Sequence, residues 1–105
     1  MKTFTLLLLS FFLLKSQIIL YAKTPEEKDL GCITLLMLAS DKSKKDGEMV
    51  KYEKLKKLQK SFLSKYEDNH FSEKDSQSQI NEHNLKIKDK GVRYINKGLQ
   101  KCGLK

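Results

Sequence analysis

The sequence predicts an all-α protein, a small bundle of three to four helices with one disulfide joining the first and last helices. The 105 residues include one proline and no tryptophan, and abundant Lys, Leu and Glu favour helix over sheet. Apolar residues recur at steps of three and four, which is the period of an amphipathic helix. Two cysteines lie near the two ends of the region that follows a hydrophobic leader.

The leader, residues 1–22, has the pattern of a secretory signal peptide. Lys2 precedes an apolar run over residues 4–14, and the small residue Ala22 offers a cleavage point. We therefore expect a periplasmic or secreted protein in which residues 23–105 form a single small helical domain.

Two features of the leader region leave alternatives open. Lys15 interrupts the apolar stretch, and Leu20 is large for its place three residues before the cleaved bond, so residues 4–22 are also compatible with an uncleaved membrane anchor. Lipid attachment at Cys32 is disfavoured, because Asp29 stands where a lipoprotein signal needs an apolar residue.

The charge of the chain limits its partners. The formal net charge is +8, and removing Lys2 and Lys15 with the leader leaves 19 basic against 13 acidic residues, or +6. That excess is modest, arginine occurs once, and export separates the protein from most nucleic acid. The sequence therefore predicts no nucleic-acid partner.

Cys32 and Cys102 are expected to pair, because disulfides persist in the compartments that receive exported proteins. A loop of this size stabilises a fold by about 4 kcal/mol on the chain-entropy model. No C-x-x-C spacing indicates redox chemistry, although a free pair of thiols is the alternative. Gly31, beside the first cysteine, predicts the close approach of another element.

The first helix has the clearest start signal. Thr24 is a fitting N-cap, Pro25 suits the first helical position, and Glu27 completes a capping box. Residues 30–39 are apolar on every face, so a neighbouring helix or a partner must bury them, and a homodimer is one way to do so. The charged stretch over residues 40–47 predicts a loop.

The second helix predicts one apolar stripe and one basic face. The stripe consists of residues three or four apart, namely Met49, Tyr52, Leu55, Leu58, Phe62 and Tyr66. The candidate basic surface consists of Lys51, Lys54, Lys57 and Lys65. This face is suited to an anionic membrane surface or to an acidic partner, but a solubilising surface is the favoured interpretation, because acidic residues interrupt the positive charge.

The C-terminal third contains one long kinked helix or two shorter ones. Ser72 and Asp75 indicate a helix start, and Gly91 separates a polar segment from a last amphipathic one. In that last segment the predicted core face is formed by Val92, Ile95, Leu99 and Cys102. The second cysteine then lies on a buried face, as a link to the first helix requires.

No catalytic, cofactor or metal site is predicted. Glu67, His70 and Glu73 resemble a fragment of a carboxylate metal site, but Ile80 stands where a second E-x-x-H motif ending at His83 would need a carboxylate. No nucleophile motif or phosphate loop is present. We expect a non-enzymatic protein, with a small hydrolase as the least favoured class.

In outline, the leader, the Cys32 to Cys102 span and the helical pattern are similar to small disulfide-linked helical proteins of the bacterial periplasm. Those proteins include inhibitors, immunity proteins and chaperones. The similarity includes no diagnostic motif, so no residue role is transferred. We expect the protein to bind another protein, and a basic amphipathic factor that binds membrane surfaces is the alternative.

Overall fold

A computed structural model describes residues 23–104. This range contains four α-helices and no strand. We number the helices α1 Pro25–Lys45, α2 Met49–Leu63, α3 Glu73–Lys90 and α4 Val92–Lys101. The predicted all-α bundle is confirmed, whereas the predicted signal peptide lies outside the described residues.

Helix α1 begins where the sequence predicts and ends later. The Glu27 amide donates a hydrogen bond to the Thr24 hydroxyl at 3.2 Å, which caps the helix. The predicted loop after Ala39 is wrong, because α1 continues to Lys45. Ser40 and Ser43 are buried and extend the packed face by another turn. The lysines of the last turn are favoured at the negative end of the helix dipole.

Helix α1 is also the central element, since it contacts each of the other three helices. The apolar stretch, residues 30–39, is buried or half-buried along its whole length. Its neighbours in the core are supplied by α2 and α4, and the core consists of Leu35, Leu36, Ala39, Leu55, Ile95 and Leu99. The helices of one chain thus cover the apolar stretch that, from the sequence, a homodimer could also have covered. The oligomeric state stays a prediction.

Helix α2 packs against α1 through the predicted apolar stripe. Leu55 is fully buried, while Tyr52 and Phe62 are half-buried. Met49, the first residue of α2, was predicted to belong to this stripe, but it is 49% exposed and does not take part in the packing. Within residues 23–104, no Cα atom of α2 lies within 8 Å of a Cα atom of α3 or α4. The two C-terminal helices therefore occupy a different side of α1.

Residues 72–101 form two helices. The Ser72 hydroxyl accepts a hydrogen bond from the Asp75 amide at 3.1 Å and caps α3. Gly91 ends α3 and begins α4 with φ of 69° and ψ of −151°, a conformation that glycine alone adopts readily. The core position predicted for Val92 is wrong, because this residue is 57% exposed and precedes the first buried residue of α4 by one turn.

The predicted disulfide between Cys32 and Cys102 is confirmed. Their Cα atoms are 5.7 Å apart, within the usual range for a disulfide, and the bond indicates an oxidising compartment. Helix α3 approaches Gly31 as predicted, since His83 Nε2 lies 2.9 Å from the Gly31 carbonyl oxygen. Helix α4 approaches α1 more tightly at Gly98, where an added Cβ would overlap the Leu35 side chain. At Gly31 an added Cβ would make only ordinary contact. Among the described helices, none is long and apolar enough to cross a membrane.

Candidate functional site

A groove of about 960 Å³ runs between α1, α3 and α4, beside the disulfide. We call it the basic groove. Its buried and half-buried lining residues, which form the floor, are Gly31, Cys32, Leu35, His83, Tyr94, Gly98 and Cys102. The floor is therefore largely apolar, with one histidine and one phenol as its polar side chains.

The rim of the basic groove is strongly cationic. One acidic side chain, Glu27, lines it. Against this carboxylate stand seven exposed cations, namely Lys23, Lys28, Lys86, Lys90, Arg93, Lys97 and Lys101. Such a concentration of one charge beside a low-dielectric floor attracts anions.

The cations converge because of their spacing along two neighbouring helices. Lys86 and Lys90 are four residues apart on α3, and Arg93, Lys97 and Lys101 repeat the same step on α4. Residues four apart lie on the same helix face. Each helix thus presents one row of positive charge, and both rows border the same groove.

Two of the seven cations share an ion pair with Glu82. Its Oε1 atom lies 3.3 Å from the Nζ atoms of both Lys23 and Lys86. Burial alone raises the pKa of Glu82, but the hydrogen bonds and charges of the two lysines outweigh burial and lower the pKa below its ordinary value. Within residues 23–104, the other five cations form no ion pair.

His83 lies in the floor and is 8% exposed. Its Nε2 lies 2.9 Å from the Gly31 carbonyl oxygen, and its Nδ1 lies 2.7 Å from the Tyr94 hydroxyl. A carbonyl can only accept, so Nε2 carries the proton, and Tyr94 donates to Nδ1 of the neutral ring. Burial is the main cause that lowers the pKa of His83, and Lys23 and Lys86 add to it; the Gly31 bond and Glu82 oppose it.

The other histidine belongs to a separate cluster, the turn between α2 and α3. His70 Nε2 lies 3.1 Å from Glu26 Oε2, and its ring stacks on Tyr66 with centroids 4.8 Å apart. Tyr66 donates a hydrogen bond to Asp29, which is the main cause that raises the pKa of Tyr66 to about 12. His70 thus fastens the turn to α1.

The part of the chain that the structure describes contains no group of three metal-ligating residues.

The predicted basic surface on α2 does not join the basic groove. Lys51, Lys54 and Lys57 are exposed on α2, Lys65 is exposed in the turn that follows it, and none of the four lines the groove. Lys51 pairs with Glu48 at 4.0 Å and Lys65 pairs with Asp29 at 3.8 Å. Apart from the exposed Met49, the apolar stripe of α2 packs on α1, so the folded domain does not present the rest of the stripe to a lipid bilayer.

The sequence predicted the disulfide between Cys32 and Cys102 correctly. It did not predict the groove beside the disulfide or the cations that line it. The four-residue steps on α3 and α4 are visible in the sequence and were the available signal. These steps predict a shared groove only if the chain breaks at Gly91, because the break places the two rows of cations on separate helices that both pack against α1. His83 was missed because its partners, Gly31 and Tyr94, are supplied by other helices.

No protein-family model, curated protein or solved structure matches the chain. The chemistry of the basic groove is therefore the basis for assigning a function.

Proposed function

We propose that the chain is a small exported binding protein, without enzymatic activity, that holds an acidic segment of another protein in the basic groove. An inhibitor, an immunity protein or a chaperone would each work through such a contact. The single observation that carries the proposal is the convergence on one groove, lined by one carboxylate, of five cations that have no ion pair among the described residues 23–104.

The spacing of the cations supports a peptide ligand. Residues four apart on a helix are separated by about 6 Å along the axis. Acidic side chains four apart on a partner helix repeat at the same distance, so one segment can place several carboxylates opposite one row. Complementary charges of this kind accelerate association and fix the register of the partner.

The floor supports a segment that is both acidic and partly apolar. Tyr94 and the disulfide offer apolar surface beside the cationic rim. An apolar side chain of the partner would be desolvated there, and tyrosine is a frequent anchor at protein interfaces. A fully polar ligand would leave this floor covered by water.

The chemistry of the described residues favours binding over catalysis. Both cysteines are consumed by the disulfide. Both ring nitrogens of His83 are occupied by structural hydrogen bonds.

Export, with cleavage after Ala22, is supported by the leader pattern and by the disulfide, which needs an oxidising compartment.

The test is the affinity for a defined peptide, a fluorescein-labelled helix with glutamate at every fourth position and leucines on the adjoining face. We expect fluorescence anisotropy to report binding that weakens with added salt. Reversing two rim charges, Lys90→Glu with Lys97→Glu, should raise Kd at least about tenfold.

The matched control reverses two charges elsewhere. Lys54→Glu with Lys57→Glu changes the net charge equally but alters α2, outside the groove. We expect this variant to change Kd less than about threefold. Equal weakening in both variants would mean attraction to net charge, and no binding of the peptide by the parent protein would also refute the proposal.

A further inference from the structure

Helix α2 presents a second positively charged surface, independent of the basic groove. At about 100° per residue, Val50 lies about 140° around the helix from the buried Leu55. Val50 therefore points away from α1. Lys54 and Lys57 follow it at steps of four and three residues, which keeps them on the same side. We call this surface, completed by Lys60, the α2 outer face.

An exposed apolar tip stands at the start of the α2 outer face. Val50 is 77% exposed and Met49 is 49% exposed. Leu104 lines a shallow cleft with both of them, together with Lys51 and Lys54. Adjacent exposed apolar side chains with a polar rim are typical of a surface that contacts a partner or a membrane.

The charge around this tip is positive and largely uncompensated. Within residues 23–104, Lys54, Lys57 and Lys60 form no ion pair, whereas Lys51 pairs with Glu48 at 4.0 Å. A second shallow cleft is lined by Val50 and the first three of these lysines, and Glu53 is the one acidic residue among its lining residues. An anionic surface would therefore gain several contacts at once.

We propose that the α2 outer face docks on an anionic lipid surface, with Val50 and Met49 entering the headgroup region and the lysines beside the lipid phosphates. The face is the convex side of a single helix, which fits an extended surface better than an inserted segment. Its cations are all lysines, which act as point charges and do not require the paired geometry of arginine. Each lysine near such a surface strengthens binding separately.

The proposal is compatible with a filled groove. The backbone of α2 runs beside α1, and within residues 23–104 none of its Cα atoms lies within 8 Å of a Cα atom of α3 or α4. The α2 outer face and the basic groove therefore lie on different sides of α1. A protein docked on lipid through α2 would keep the basic groove open to its partner.

The experiment places a single tryptophan at the proposed contact. The protein has no tryptophan, so Val50→Trp reports only its own surroundings. The chain is recovered from a host that exports it and is mixed with phosphatidylcholine vesicles, with or without phosphatidylglycerol. We expect the emission to shift to the blue only with phosphatidylglycerol and to return at high salt.

Leu85→Trp is the positional control, because Leu85 on α3 is 71% exposed and lies outside α2. Its emission should not shift. Equal shifts at both positions would overturn the proposal, since they would show contact without orientation. A missing shift at Val50→Trp would overturn it too.

Charge controls complete the test in the Val50→Trp background. Lys54→Glu with Lys57→Glu should lower the vesicle partition coefficient at least roughly 30-fold. Lys90→Glu with Lys97→Glu, which changes the net charge equally in the groove, should lower it much less. Equal losses would overturn the proposal, whereas the acidic-peptide measurement tests the groove separately.

Discussion

His83 joins three helices as a neutral side chain. It belongs to α3, donates to the Gly31 carbonyl on α1 and accepts from the Tyr94 hydroxyl on α4. Both hydrogen bonds suit the neutral ring, and protonation would remove the acceptor that Tyr94 uses. Since burial lowers the pKa of His83 in the folded state, protons bind more readily to the unfolded chain.

This linkage predicts a loss of stability in mild acid. Above the unfolded pKa of about 6.5, His83 is neutral in both states. As pH falls through that value towards the lower folded pKa, the unfolded chain takes up a proton first, so the free energy of unfolding decreases. Urea denaturation between about pH 7.5 and about pH 5.5 should record this decrease.

Replacement of the histidines separates this effect from other titrations. His83→Gln should flatten the decrease, while His70→Gln should retain it, because His70 lies in the turn and not in the floor. An unchanged slope in His83→Gln contradicts the assignment. If that variant does not fold, an NMR titration of the parent protein decides, with His83 expected to titrate below its ordinary pKa.

At the level of elements, the approach of α4 to α1 is set by Gly98. A Cβ at this position would overlap Leu35 Cδ2, and Leu35 is itself buried in the core. The Leu35 side chain or one of the helices would have to move. The small residue therefore permits the close packing of α4 on α1 at the floor of the basic groove.

We expect Gly98→Ala to lower the free energy of unfolding by about 1–3 kcal/mol, the usual cost of overpacking. Gly31→Ala is the matched control, since its Cβ would lie 3.5 Å from Gln79 Oε1 in ordinary contact. That variant should gain up to about 1 kcal/mol, because alanine favours helix more than glycine does. Urea denaturation of both variants measures the difference, and a Gly98→Ala variant as stable as Gly31→Ala would disprove the tight contact.

Sequence reasoning succeeded where one local interaction determines an element. Thr24 and Ser72 cap the helices that they were expected to cap, and the stripe centred on Leu55 faces α1. The end of α1 was misjudged because its charges predict a loop, whereas Ser40 and Ser43 are small enough to continue the packed face.

The groove was beyond sequence reasoning for a different reason. Its rim combines charges from α3 and α4 with a floor from α1, so it exists only after the helices have packed. The break at Gly91 was left open by the sequence, and without it the two cationic rows cannot be assigned to separate helices. Pairing of the cysteines, in contrast, followed from their number and position.

At the scale of the whole molecule, the disulfide spans 70 residues and connects the first helix to the residue that ends the last one. The chain-entropy model gives about 4 kcal/mol for a loop of this length. We expect Cys32→Ser with Cys102→Ser to lose about this free energy of unfolding in urea denaturation. Reducing the parent protein should have the same effect, and equal stability of the oxidised and reduced forms would contradict the prediction.

The disulfide also changes what a protease can release. The turn between α2 and α3, residues 64–72, is largely exposed and carries Lys65. One cut there divides the polypeptide between its two cysteines, and the Cys32–Cys102 bond still joins the two pieces. A nicked molecule would therefore keep its mass, apart from one added water, until it is reduced, and both helical halves would stay together.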